Sequence, residues 1–186
     1  LYWAHVEGLE GDLYRPTGTF PKVKMNFRPT LCNHCAEPAC VANCPTGAMA
    51  KREDNGAVVV DDYAHHPTEL RATLNTAKEL GYKRLIAVHQ PFTYSRTKML
   101  FNDFVDVLKI PDVAVITPIM GSREPNDPTI TSAKLAAQIP GSVLVDSLEA
   151  AADWVKQNAR EGDLVITLGC GDIYKASKMM VADNNK

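Results

Sequence analysis

At 186 residues the chain is long enough for one large domain or two small ones, and compact folding would bury roughly 70% of its unfolded surface. With 45% hydrophobic and 23% charged residues, its composition excludes disorder for most of its length and fits a soluble globular protein. Twenty basic against 22 acidic residues leave a formal charge of -2, without the basic excess that binding a nucleic-acid backbone or an anionic membrane surface requires. No apolar run nears the about 18 residues of a membrane span, and Leu1–His5 lacks a basic segment followed by an apolar one, so neither a span nor a signal peptide is expected.

In chain order, the first segment is rich in proline and poor in apolar residues at helical or strand spacing, so residues 1–56 are expected to build little core of their own. They carry the run Cys32-x2-Cys35-x4-Cys40-x3-Cys44-Pro45. Close spacing with a trailing proline is the pattern in which thiolates of one short loop surround an iron-sulfur cluster. Zinc or uncommitted thiols remain open as alternatives, although structural zinc usually uses two pairs of ligands set farther apart. A boundary is placed near residue 56.

Beyond it the pattern changes. The runs Ala57–Val60, Leu85–Val88, Val113–Ile116, Val143–Val145 and Leu164–Ile166 recur at roughly the spacing of one strand-helix unit, and continuous apolar runs imply strands covered on both faces. Pro67 opens a helix with Leu70, Leu74, Ala77 and Leu80 along one side, and Gly81 stops it. Ser95 is expected to cap the next helix, with a stripe of Leu100, Phe104, Val107 and Leu108, and Leu148, Ala151, Ala152 and Val155 mark a third. The expected fold is α/β: a Rossmann-like, mostly parallel sheet with helices on both faces over residues 57–186, preceded by a small irregular Cys-rich segment.

In such sheets ligands bind beyond the carboxyl ends of the strands. The chain places Asp61, Asp62, Tyr63, His65 and His66 after its first strand, His89 to Thr97 after its second, and Gly169-Cys170-Gly171-Asp172 after its last. Carboxylates, imidazoles, a phenol and the Arg96 guanidinium on one rim suit an anionic substrate. The plainer reading, left open at this point, gives Asp62 and His66 to helix capping, Arg96 to solvent and Cys170 to a packed strand-to-helix turn.

The segments Asp61-Asp62-Tyr63-Ala64-His65-His66-Pro67-Thr68-Glu69, Gln90-Pro91 with Tyr94-Ser95-Arg96-Thr97, and Gly162 through Asp172 resemble the C-terminal domain of the UDP-N-acetylmuramate-L-alanine ligase family. The resemblance runs from about residue 57 to the end. It implies a cytoplasmic enzyme of peptidoglycan synthesis that uses ATP with Mg to activate the carboxylate of UDP-N-acetylmuramate as an acyl phosphate, which the amine of L-alanine then attacks. It further implies that Asp62 contacts the ATP ribose, and that Tyr63, His65 and Arg96 line a pocket for phosphate and amino acid. The planar fork of Arg96 suits a carboxylate, while Thr93 stands where many relatives carry a second Arg. The family's P-loop needs a Gly-Lys pair, and none occurs here; its UDP-sugar domain has no counterpart either. The chain alone is therefore expected not to make the amide bond.

The segment from Leu31 to Cys40, with Cys44-Pro45-Thr46-Gly47-Ala48-Met49 and Lys51-Arg52-Glu53-Asp54, resembles the ferredoxin-type iron-sulfur subunit of the dimethyl sulfoxide reductase family, over most of residues 1–62. That resemblance implies a cluster on Cys32, Cys35, Cys40 and Cys44, and the second cysteine run of a two-cluster ferredoxin is missing. The two resemblances meet in the Val-Val-Val-Asp stretch at 58–61, so the chain reads as a chimera of residues 1–56 and 57–186. The competing function is a fragment of the electron-transfer subunit of a molybdopterin oxidoreductase.

Overall fold

Each apolar run forms a strand, because a run of β-branched and aliphatic residues can be buried on both faces of a parallel sheet. The structure is a computed structural model that describes residues 5–8, 27–30, 49–52 and 56–182. It divides into two units, residues 1–43 and 44–186. In the first, β1 (His5–Gly8) and β2 (Phe27–Thr30) pair antiparallel with His5 opposite Thr30. Cys32, Cys35, Cys40 and Cys44, and with them the expected cluster, lie outside the described residues.

The second unit runs β3 (Met49–Lys51), β4 (Val58–Asp62), α1 (Pro67–Glu79), β5 (Arg84–His89), α2 (Tyr94–Met99), α3 (Phe101–Val107), β6 (Val113–Ile116), α4 (Ser132–Ala136), β7 (Val143–Leu144), α5 (Leu148–Asn158), β8 (Asp163–Leu168) and α6 (Tyr174–Val181). The strands form one sheet in the order β3-β4-β8-β5-β6-β7, parallel except for β3. Met49–Lys51 thus joins the sheet as an antiparallel edge strand, although it precedes the boundary expected at residue 56.

Alternate residues of the central strands face opposite cores. Leu85, Ala87, Ala114, Ile116, Leu164 and Ile166 pack with α1, α3 and α4, through Leu70, Leu74, Phe104, Val107 and Leu135. Ile86, Val88, Val115 and Val165 pack with α5 and α6, through Ala151, Ala152, Val155, Ala176 and Met180. The helices following β4, β5 and β6 therefore cover one face, and those following β7 and β8 the other. At the amino ends of β5 and β8, Arg84 grips the buried Asp163 carboxylate with Nη2 at 2.5 Å and Nε at 3.3 Å, and that bond pushes the guanidinium pKa further up.

Two details differ from expectation. The helix expected as one piece from Ser95 breaks at Leu100 into α2 and α3, because Leu100 (φ -106°, ψ 25°) leaves the helical basin while its side chain still packs on the core. Its cap is Thr93, whose Oγ1 accepts from the Arg96 amide at 3.4 Å, and not Ser95, which lies inside the first turn and bonds Glu124. α1 is as expected: Pro67 is its first residue and Gly81 follows its cap at φ +76°, a conformation a β-carbon would oppose.

Candidate functional site

The direction of winding decides where the loops converge. β8 lies between β4 and β5, yet its following helix covers the face opposite to theirs. The carboxyl ends of these three strands therefore border a crevice from which the chain leaves in opposing directions, the usual ligand position in an open α/β sheet.

After β4, the main chain is bent by Asp62. Its Oδ1 accepts from the Ala64 amide at 2.8 Å and its Oδ2 from Thr73 Oγ1 at 3.0 Å, which ties the strand end to α1. Its neighbour Asp61 accepts from Thr167 Oγ1 on β8, and burial above all pushes its carboxyl pKa up. His66 caps α1, with Nδ1 accepting from the Thr68 amide at 3.2 Å. Glu69 closes the capping box by accepting from the His65 and His66 amides at 3.0 and 3.1 Å, and these bonds hold its pKa down. His65 is left as the ring that faces the next loop.

The loops meet through aromatic rings. Tyr63, 71% exposed, stands edge-on to His65 with centroids 5.6 Å apart, and His65 stands edge-on to Phe92 at 6.5 Å. The Arg96 guanidinium lies over the other end of the row, 5.8 Å from the Phe92 centroid. The three predicted side chains Tyr63, His65 and Arg96 are thus brought to one lip by a fourth, Phe92. Sequence reasoning missed it, although an aromatic in the loop after β5 was the available signal. Arg96 Nη1 is buried without a hydrogen-bond partner among the described residues. A guanidinium N–H so placed is a donor awaiting an acceptor.

The third loop is fastened beside them. Gln90 bonds Asp172 reciprocally: its Nε2 donates to Oδ1 at 2.8 Å, and its Oε1 accepts from the Asp172 amide at 3.1 Å. The Gln90 bond foremost holds the Asp172 carboxyl below its ordinary range. A β-carbon on Gly171 would collide with Gln90 Oε1 and Met120 Sδ, so a larger residue there would displace the Gln90 side chain that holds Asp172. Burial pushes the Cys170 thiol up, against the opposing pull of Arg96. Thr93 adopts φ +64°, costly for a β-branched residue, while donating its amide to Met120 O at 2.8 Å. Thr93 is the cap from which α2 starts, and Arg96 lies in the first turn of that helix. Among the described residues, no group of three or more His, Cys, Asp or Glu side chains could hold a metal ion. No helix among them is long and apolar enough to cross a membrane.

Residues 49–171 match the family described as Mur ligase, glutamate ligase domain. Among curated relatives, the UDP-N-acetylmuramate–L-alanine ligase of Lachnospira eligens is 44% identical over 128 residues, covering 67% of this chain and 28% of its own length. That of Caldanaerobacter subterraneus subsp. tengcongensis is 40% identical over 135 residues, covering 70% and 29%. The chain therefore matches less than a third of the length of these relatives. Among solved structures, the UDP-N-acetylmuramate-alanine ligase of Thermotoga maritima superposes with a TM-score of 0.56 at 23% identity, covering 71% of this chain and 27% of that one. A MurF ligase from Thermotoga maritima in complex with ADP superposes with a TM-score of 0.51 at 15% identity, covering 71% and 29%.

Proposed function

Because the chain belongs to the Mur ligase family through its glutamate ligase domain, we propose that residues 57–186 act as the nucleotide-closing C-terminal part of a cytoplasmic ligase that joins L-alanine to UDP-N-acetylmuramate at the expense of ATP. The observation that carries this reading is the row Tyr63, His65, Phe92 and Arg96 at the crevice beside β8, ending in the buried Arg96 Nη1, which has no acceptor among the described residues. Such a donor fits an anion whose charge grows during acyl phosphate formation or the attack on it, because a preorganised N–H in a dry site needs no reorganisation as charge develops. Asp62 is committed by both oxygens to the bend and to α1, and keeps lone pairs for a ribose hydroxyl. Tyr63 is exposed enough to be covered by a nucleotide rather than by its own chain.

Among the described residues, no group of three or more His, Cys, Asp or Glu side chains stands ready to hold Mg on its own. The P-loop lysine is likewise not supplied by this sequence. Purified chain given ATP, L-alanine and UDP-N-acetylmuramate is expected to release no phosphate, and clear turnover would overturn that part. Calorimetry with ATP is expected to show binding that weakens about tenfold in Arg96→Ala and in His65→Ala, the loss appropriate to a charge-assisted hydrogen bond. Unchanged affinity in both variants refutes the assignment of the rim.

A second reading rests on the spacing of Cys32, Cys35, Cys40 and Cys44: the leader as an iron-sulfur electron-transfer fragment. Anaerobically purified chain with stoichiometric iron and sulfide supports it, and colourless protein sinks it.

A further inference from the structure

The winding reverses a second time. The helix after β6 packs into the core with α1 and α3, whereas the helix after β7 packs on the other face with α6. The carboxyl ends of β6 and β7 thus border a crevice of their own, and it holds a cavity of 620 Å³, within the about 300–1,000 Å³ typical of small-molecule sites. None of Tyr63, His65, Phe92 or Arg96 lines it.

We propose that this crevice binds an unphosphorylated nucleoside, with its ribose diol on Asp146. Asp146 stands two residues beyond β7, and its backbone neighbour Val145 is still held to the sheet by its N–H, which donates to Ile116 O at 3.0 Å. A carboxylate at that point of a wound sheet can accept from both hydroxyls of a vicinal diol, as acidic residues at strand ends do in dinucleotide folds. Ile119, Ile130 and Leu144 supply apolar wall for a flat base, and Leu144 is 48% exposed, unusual for a large aliphatic side chain on a strand. Asn126 offers an amide that can pair with the edge of a base.

The same surroundings offer no cation to a phosphate. Among the described residues, no Lys or Arg lines the cavity. The first turn of α5 carries Glu149, its Ala150 amide already donates to Ser147 Oγ at 3.0 Å, and no glycine stands between Leu144 and Leu148 to bring backbone N–H groups up to a phosphate. The ligand is thereby a neutral diol-bearing heterocycle rather than a nucleotide, and the site is distinct from the rim beside β8.

The test is a titration of the full 15N-labelled chain with adenosine, followed by amide shifts. The amides of Ile130 to Ala133 and Asp146 to Ala150 should move together. Affinity should fall about tenfold for 2′,3′-dideoxyadenosine, which lacks the diol, and by a similar factor for Asp146→Asn, an exposed change that leaves the fold in place. ATP should bind this crevice more weakly than adenosine. The proposal is overturned if these amides do not move at millimolar adenosine, if shifts are confined to the loops after β4 and β5, or if the dideoxy nucleoside binds equally well.

Discussion

His89, at the end of β5, is completely buried, stacked on Phe104 with centroids 5.4 Å apart, with Nδ1 3.1 Å from Leu168 O and Nε2 unpartnered among the described residues. Burial above all pushes its pKa down from 6.5 to about 4. The unfolded chain binds this proton more readily than the folded one, so the contribution to stability is complete above pH 6.5 and is lost as the pH falls toward 4. From pH 7.5 to pH 5 this one residue should remove about 2 kcal/mol, read as a shift of the urea midpoint. His89→Asn should flatten that part of the profile, and an identical pH dependence in the two proteins would show that the buried imidazole is not its source. The sequence set His89 at the head of the loop after the second strand, and the structure instead makes it the last, fully buried residue of β5, since a histidine closing an apolar strand run fits either side of the sheet surface.

At the level of elements, His66 had two readings, rim or cap, and the structure gives its Nδ1 to the Thr68 amide. His66→Ala should therefore lower stability by about 1 kcal/mol, the usual cost of a lost cap, while ATP affinity stays within about twofold. A large loss of affinity with unchanged thermal stability would return the residue to the rim. The long apolar runs were readable because strands buried on both faces need only aliphatic residues, as Leu85 to Val88 and Leu164 to Ile166 show. β3 was not readable: Met49-Ala50-Lys51 is a three-residue edge strand without an apolar run. The break at Leu100 was hidden because the apolar stripe begins at Leu100 itself and so carries no sign of where the preceding turns end, and the Thr93 cap because a positive φ on threonine has no local signal. α4 is only five residues long, too short for periodicity to mark.

For the molecule as a whole, the rhythm of strands and helices was enough to bring three loops to one edge, because parallel strands joined by crossover helices expose all their carboxyl ends together. What the rhythm could not show is the order β4-β8-β5, which sets Asp61 beside Thr167 and lets Gln90 reach Asp172 across 82 positions of sequence. Nor could it show the cavity between β6 and β7, whose walls come from Tyr94, Ile130 and Leu144 in separate segments. The proposed anion-binding lip, made by the loops after β4, β5 and β8, is open to an amide-resolved titration of the full chain with ATP. Amides of Asp62 to Glu69, Gln90 to Thr97 and Gly169 to Asp172 should shift together with a single dissociation constant, and Arg96→Ala should weaken all three sets alike. Shifts in only one of these loops, or three sets with unrelated affinities, would contradict it.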